Sequence, residues 1–137
     1  MFDKFHIFLG ATVADAAARP LHWIYDQKTL QKHIKGKKDF AFLKKNKSPF
    51  YSIRTGKVSG YNDLGQVMFR SLKEDQNEKG ILSVFKKNIV KNFGPGSLYW
   101  KNLTLRKKYK KIKWRSKIKG PWIHQNIMET IQNIKKK

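Results

Sequence analysis

Along the first segment, apolar and small residues recur at helical spacing. Phe5, Phe8, Leu9, Thr12, Val13 and Ala16 fall at i, i+3, i+4, i+7, i+8 and i+11, which marks one buried face of an α-helix. Asp3 stands where it can cap the first turn and Pro20 where it stops the helix. Gly10, Ala11, Ala14, Ala17 and Ala18 keep the other flanks small enough for close contact, so this helix is expected to sit centrally. Leu21 to Tyr25 then form an aromatic-rich connection. Asp26 can cap a second helix, Gln27 to Lys35, with Leu30 and Ile34 inward and Gly36 at its stop. Asn62 can cap a third, in which Leu64, Val67, Met68, Ser71 and Leu72 repeat at three and four. Lys79-Gly80 is expected to separate it from a fourth, with Ile81, Leu82, Phe85, Ile89 and Phe93 inward and Gly94-Pro95-Gly96 at its end. Gly120-Pro121 opens a last helix whose stripe is Ile123, Ile127, Ile131 and Ile134. An apolar stripe near a chain end requires a partner surface.

Two stretches carry no sustained period. Residues 36–60 hold Gly36, Pro49, Gly56 and Gly60, and the aromatics Phe40, Phe42, Phe50 and Tyr51 within this stretch predict a loop that packs rather than floats. Residues 101–119 are the least readable: ten of the nineteen are basic, and Leu103, Leu105, Tyr109, Ile112, Trp114 and Ile118 fit neither the helical nor the strand period. No segment alternates with β-branched residues, so the fold class is all-α with long irregular loops. At roughly 100 to 200 residues per domain the chain makes one domain, residues 1–137.

Composition adds a charge question. Thirty-one Lys and Arg against nine Asp and Glu give +22, and residues 81–137 alone hold sixteen bases and one acid. Such a field attracts polyanions. Twenty-six of the bases are Lys and only five Arg, beside twelve Ile and eight Asn, a bias that AT-rich codons impose whatever a protein does. Recognition of phosphate and guanine favours the planar fork of Arg, which weakens the case for nucleic acid as the main partner. The absence of Cys excludes a disulfide scaffold, an all-thiolate zinc site and a cysteine nucleophile, and with it the expected setting is intracellular, cytoplasmic. No run of eighteen apolar residues predicts a membrane span. His6, Gly10 and Asp15 interrupt the N-terminal apolar stretch, against a signal peptide.

The remaining chemistry is sparse. His6, His22, His33 and His124 are scattered without the spacing of a zinc helix. No Ser sits on a Gly-x-Ser-x-Gly turn, and no Gly-rich phosphate fingerprint is present. Asp15 is a carboxylate inside an otherwise apolar helix and must reach a polar partner or water; structural pairing is the usual fate of such an acid. Asn62-Asp63, behind Gly60-Tyr61, opens the third helix, where such side chains cap free amides or, less commonly, ligate a metal.

These residues carry a resemblance. Gly10-Ala11-Thr12-Val13-Ala14-Asp15-Ala16-Ala17-Ala18-Arg19-Pro20-Leu21-His22-Trp23-Ile24-Tyr25-Asp26 resembles the N-terminal helix and turn of the ADP-ribosylglycohydrolase family, in the branch that contains J-type crystallin and selenoprotein J. Ser48-Pro49-Phe50-Tyr51, Thr55-Gly56-Lys57 and Gly60-Tyr61-Asn62-Asp63 resemble that branch's path into its second motif. Phe93-Gly94-Pro95-Gly96-Ser97 and Lys119-Gly120-Pro121-Trp122 with His124 follow in the same order.

The resemblance implies an all-helical fold whose active members hydrolyse an ADP-ribose linkage with two magnesium ions. It places Asp63 at a metal position and Asp15, His22 and Asn62 around the ligand. The sequence departs from the active pattern in three ways. The second motif of active relatives, Tyr-Thr-Asp-Asp-Thr, reads Tyr61, Asn62, Asp63, Leu64 and Gly65 here, leaving one acid. An acid of the first motif is replaced by His22. Residues 79–128 contain no Asp or Glu, whereas the family draws further metal ligands from its C-terminal half. The chain is therefore expected to be the N-terminal half of a longer domain, without hydrolase activity alone, with magnesium only if the family site persists. Three partner expectations follow: an ADP-ribose-type ligand, nucleic acid or another polyanion on residues 101–119 (with Tyr109 and Trp114 available to stack), and self-association through the core faces of the first, third and last helices that a missing half would leave bare.

Overall fold

The computed structural model describes residues 3–49, 54–72, 77–108 and 120–136, and among them the chain is all-α. Six α-helices follow in order: α1 (Lys4–Ala18), α2 (Gln27–Ile34), α3 (Gly60–Ser71), α4 (Glu78–Phe93), α5 (Leu98–Lys108) and α6 (Gln125–Lys135), with a short 3-10 turn, Arg19–Leu21, after α1. Caps are the local reason for most starts. Asp3 accepts from the Phe5 amide, Asp26 from the Thr29 amide and Asn77 from the Gly80 amide, each satisfying a donor that a first turn leaves free.

Four helix boundaries and one position differ from the sequence expectation. The cap of α3 is Ser59, whose side chain accepts from the Asn62 amide, so Asn62 lies inside the first turn and is not the cap. The fourth helix starts at Glu78 and runs through Gly80, because Asn77 supplies the cap that outweighs one helix-weakening glycine. The start of the basic stretch 101–119 lies in helix α5, whose apolar side chains are dispersed round its surface and leave no stripe to read. The last helix begins at Gln125; residues 120–124 before it are not helical, and Gly120 takes φ +114°. Finally α1 is not central. The core is built by Val67 of α3, Ile89 and Phe93 of α4, Tyr99 and Leu103 of α5, and Ile127 and Ile131 of α6. The central element is α4, in contact with α3, α5 and α6.

The stripe of the last helix thus finds its partner within the chain: Ile127 and Ile131 are buried where α6 meets α4, and Ile123 is buried in the same core. That corrects the expectation of a bare face there. At the end of α4, a side chain on Gly94 would overlap the Val90 carbonyl oxygen, so the sharp turn into α5 requires glycine. Polar cross-links tie the bundle. Ser71 donates to the Val67 carbonyl and accepts from Asn88 of α4 (3.0 Å), and Asn102 of α5 donates to the Pro121 carbonyl (2.8 Å).

Helix α1 lies beside α3 and packs through only part of the face its apolar spacing marks, with Ala16 of that face buried. Phe8 stacks on Phe69 (centroids 4.7 Å apart), Thr12 meets Asn62 and Asp15 meets Ser59. The pairing order 8/69, 12/62, 15/59 is that of two antiparallel helices. Phe5, Leu9 and Val13 are instead exposed, by 54%, 46% and 49%. Three specific contacts to α3, two of them polar, orient the helix more strongly than its diffuse apolar character.

Candidate functional site

The junction of α1 and α3 gathers the side chains singled out from sequence. Asp15, on the last turn of α1, accepts from the Ser59 amide at 2.6 Å and from the Ser59 hydroxyl at 2.6 Å, one bond to each carboxylate oxygen. Ser59 is 0% exposed. It also caps α3, so one carboxylate fixes both the helix start and the α1–α3 distance. One turn back on α1, Asn62 donates from Nδ2 to Thr12 Oγ1 (3.2 Å), and its Oδ1 accepts from Gln66 (3.1 Å), which in turn accepts from Arg70 (3.4 Å). An uncharged amide therefore lies buried at a position where active glycohydrolases, by the resemblance above, place a metal-binding group.

Asp63 points away from this pair. It accepts a hydrogen bond from the Tyr99 hydroxyl of α5 and borders a cavity of about 280 Å³ with Gln66, Arg70, Asn92 and Phe93. Burial pushes its carboxyl above the ordinary aspartate value; the Tyr99 bond pulls it down, the Asp15 charge raises it, and Arg70 and Lys57 lower it. His22 follows the 3-10 turn and is half-buried. Burial pushes its imidazole below the ordinary value, the Asp15 carboxylate opposes that shift and the Arg19 guanidinium adds to it.

Two hard cations need a ring of oxygen donors, several of them carboxylates. Here both Asp15 oxygens are bonded to Ser59, Asn62 is neutral, and Asp63 is turned to Tyr99. Among the described residues no group of three His, Asp or Glu stands close enough to hold a metal ion. These side chains do not fit a paired magnesium site.

Three further residues shape the junction. Arg19 is 0% exposed; its Nε donates to the Lys57 carbonyl (2.5 Å) and its Nη2 to the Arg54 carbonyl (2.6 Å), anchoring the segment that leads into α3. No spacing announces this role, because an Arg before a Pro looks like a helix end. Tyr99 lies thirty-six residues from Asp63, beyond any local signal. His124 was marked only as part of a late motif. It is buried, stacks on Tyr61 (3.8 Å between centroids) and on Trp23 (5.7 Å), and its Nε2 has no hydrogen-bond partner among the described residues. A side chain on Gly60 would sit 3.1 Å from the Trp122 carbonyl and 3.3 Å from this imidazole, so the glycine lets α3 start against the segment before α6. Burial pushes His124 below the ordinary histidine value. Residues 109–119, with Tyr109 and Trp114, and residues 50–53 lie outside the described residues.

No family model matches the chain, and no solved structure matches it. Among curated proteins it is similar to Crystallin J1A and Crystallin J1B of Tripedalia cystophora, each 26% identical over 126 residues. Each alignment covers 92% of this chain and 36% of the relative. The likeness to J-type crystallins drawn from the motifs thus extends over nearly all of this chain, which spans about a third of the length of the relatives it matches.

Proposed function

We propose that the chain is a non-hydrolytic, J-crystallin-type structural module, built on the first part of an ADP-ribosylglycohydrolase-like helical scaffold. The observation that carries this reading is the state of the two carboxylates. Asp15 spends both oxygens on Ser59, and Asp63 is held by Tyr99 with its charged form disfavoured by burial. Groups that would bind cations in a hydrolase serve here as cross-links between helices. The similarity to two proteins named as crystallins agrees with a role of this kind.

The test is incubation of the 137-residue chain with an ADP-ribosylated substrate, with and without magnesium, reading free ADP-ribose. The expected result is no magnesium-dependent release and no change in the thermal midpoint on adding magnesium, since a ligand that binds only the folded state raises it. Magnesium-dependent release that Asp63→Ala abolishes would overturn the reading.

A second reading, polyanion binding through residues 101–119, is favoured by the sixteen bases against one acid in residues 81–137. Binding of single-stranded RNA through phosphate neutralisation weakens steeply as salt rises. Affinity that is unchanged between low and high salt, or no binding at all, removes this reading.

A further inference from the structure

The loop between α2 and α3 holds an open cavity of about 560 Å³, well inside the range of small-molecule sites. It is lined by four lysines, Lys37, Lys44, Lys45 and Lys47, and one aspartate, Asp39, together with Ala41, Phe42 and Leu43. Positive charge beside apolar lining suits a ligand with a multiply charged head and a flat body.

The loop is irregular but held. The Phe42 amide donates to the Ala17 carbonyl at the end of α1 (3.0 Å), and the Lys47 amide donates to the Pro20 carbonyl (2.8 Å). The Thr55 hydroxyl donates to the Leu43 carbonyl (2.7 Å), and Asp39 accepts from the Ala41 amide (2.8 Å). Lys37 Nζ donates to the His33 carbonyl, which binds the cavity rim to the last turn of α2. A wall ordered before binding loses less entropy when a ligand arrives.

Phe42 supplies an independent observation. It takes φ +49°, a left-handed conformation that a bulky side chain rarely adopts, and the residue is 43% exposed and lines the cavity. Burial does not account for strain at an exposed residue, whereas presenting its ring to a ligand does. Lys ammonium groups bind phosphate as point charges, and a phosphate monoester carries about −1.5 to −2 charges at neutral pH.

From this geometry we propose that the Lys37–Lys47 cavity is a binding site for a phosphate monoester of a flat heterocycle, a ligand of mononucleotide size. The phosphate lies among Lys44, Lys45 and Lys47, and the ring lies against Phe42. The site is separate from the α1–α3 junction and independent of the structural role proposed there.

The test is calorimetric titration of the 137-residue chain with AMP, adenosine and inorganic phosphate. AMP is expected to bind saturably at one site, at least tenfold more tightly than adenosine or phosphate. The double variant Lys44→Ser/Lys45→Ser is expected to lose tenfold or more, and Phe42→Ala several-fold, with thermal unfolding confirming that each is folded. Lys86→Ser/Lys87→Ser, on the exposed face of α4, removes the same two charges and is expected to leave the affinity unchanged. The proposal is overturned by absence of saturable binding, by equal losses in the two lysine pairs, or by phosphate binding as tightly as AMP. Should a variant fail to fold, protection of Lys44 and Lys45 from acylation by AMP, read by mass spectrometry, takes its place; no protection relative to Lys86 and Lys87 overturns the assignment.

Discussion

Replacing Asp15 with alanine removes the acceptor for two hydrogen bonds whose donors sit on a residue with no solvent exposure. Hydrogen bonds to a charged partner contribute about 1.5–3 kcal/mol each, and a buried donor left unpaired costs the same order. The Ser59 hydroxyl still accepts from the Asn62 amide but loses the acceptor for its own proton, so the two losses together come to about 3–6 kcal/mol. That is a large part of the roughly 5–15 kcal/mol by which a domain is stable. At about 4 °C per kcal/mol for a chain of this size, the thermal midpoint falls by roughly 12–24 °C. Asp15→Asn keeps one acceptor and is expected to lose about half as much. Urea unfolding followed by circular dichroism measures each variant. A double-mutant cycle with Ser59→Ala is expected to return a coupling of about 1–3 kcal/mol, since the two residues touch. A loss below about 1 kcal/mol for Asp15→Ala, or additivity of the two substitutions, would refute the claim that this carboxylate is spent on holding α1 to α3.

Other outcomes follow from the same geometry. His22 and His124 are both held below the ordinary histidine value of about 6.5, so below that pH the unfolded chain takes up protons that the folded chain resists. Their stabilising contribution is present above about 6.5 and is lost as pH falls towards the depressed folded values. The midpoint should drop between neutral pH and pH 5, and His22→Gln/His124→Gln should flatten that slope; an unchanged slope refutes it. Asp63 has the opposite sign, because its folded value is raised: its contribution is present below the unfolded value and lost as pH rises through the folded one. Asp63→Asn keeps an acceptor for Tyr99 without the charge, so at pH 7 its midpoint should equal or exceed that of the parent, and a clear drop would count against burial as the dominant effect. Phe93→Ala at the centre of the core should cost about 3–5 kcal/mol, whereas Phe5→Ala on the exposed face of α1 should stay within about 0.5 kcal/mol. Equal losses would show that the α1 face is covered in solution.

Periodicity was a sound guide where burial is one-sided. The Ile123–Ile134 stripe and the inward Ile89 and Phe93 reappear as the core, because a helix with a strong apolar stripe has one favourable way to face a bundle. It held for only half of the α1 face: Phe8, Thr12 and Ala16 pack, whereas Phe5, Leu9 and Val13 are solvent-exposed. Spacing reports which residues share a face but not whether a neighbour covers it. Boundaries failed where two capping residues competed: Ser59 and Asn62 are both good N-caps, and the bond of Ser59 to Asp15 selects the earlier start. The α5 helix left no trace because its apolar residues are spread round its surface.

The candidate site divides in the same way. Asp15 was recognisable as an acid in need of a partner, and the neutral Asn62 beside a single Asp63 already counted against a paired metal site. Neither the identity of the partners nor the roles of Arg19, Tyr99 and the exposed Phe42 could be read along the chain. Local composition specifies helices, caps and stops because those depend on side chains within one or two turns. The Asp15–Ser59, Asp63–Tyr99 and Tyr61–His124 contacts join positions 44, 36 and 63 residues apart, and such pairings exist only once the bundle has closed. What the amino-acid order settled about this protein is therefore its helical class, its main apolar stripes and its shortage of acids. Which carboxylate became a cross-link, and which lysines came to surround a cavity, depended on packing between elements distant along the chain.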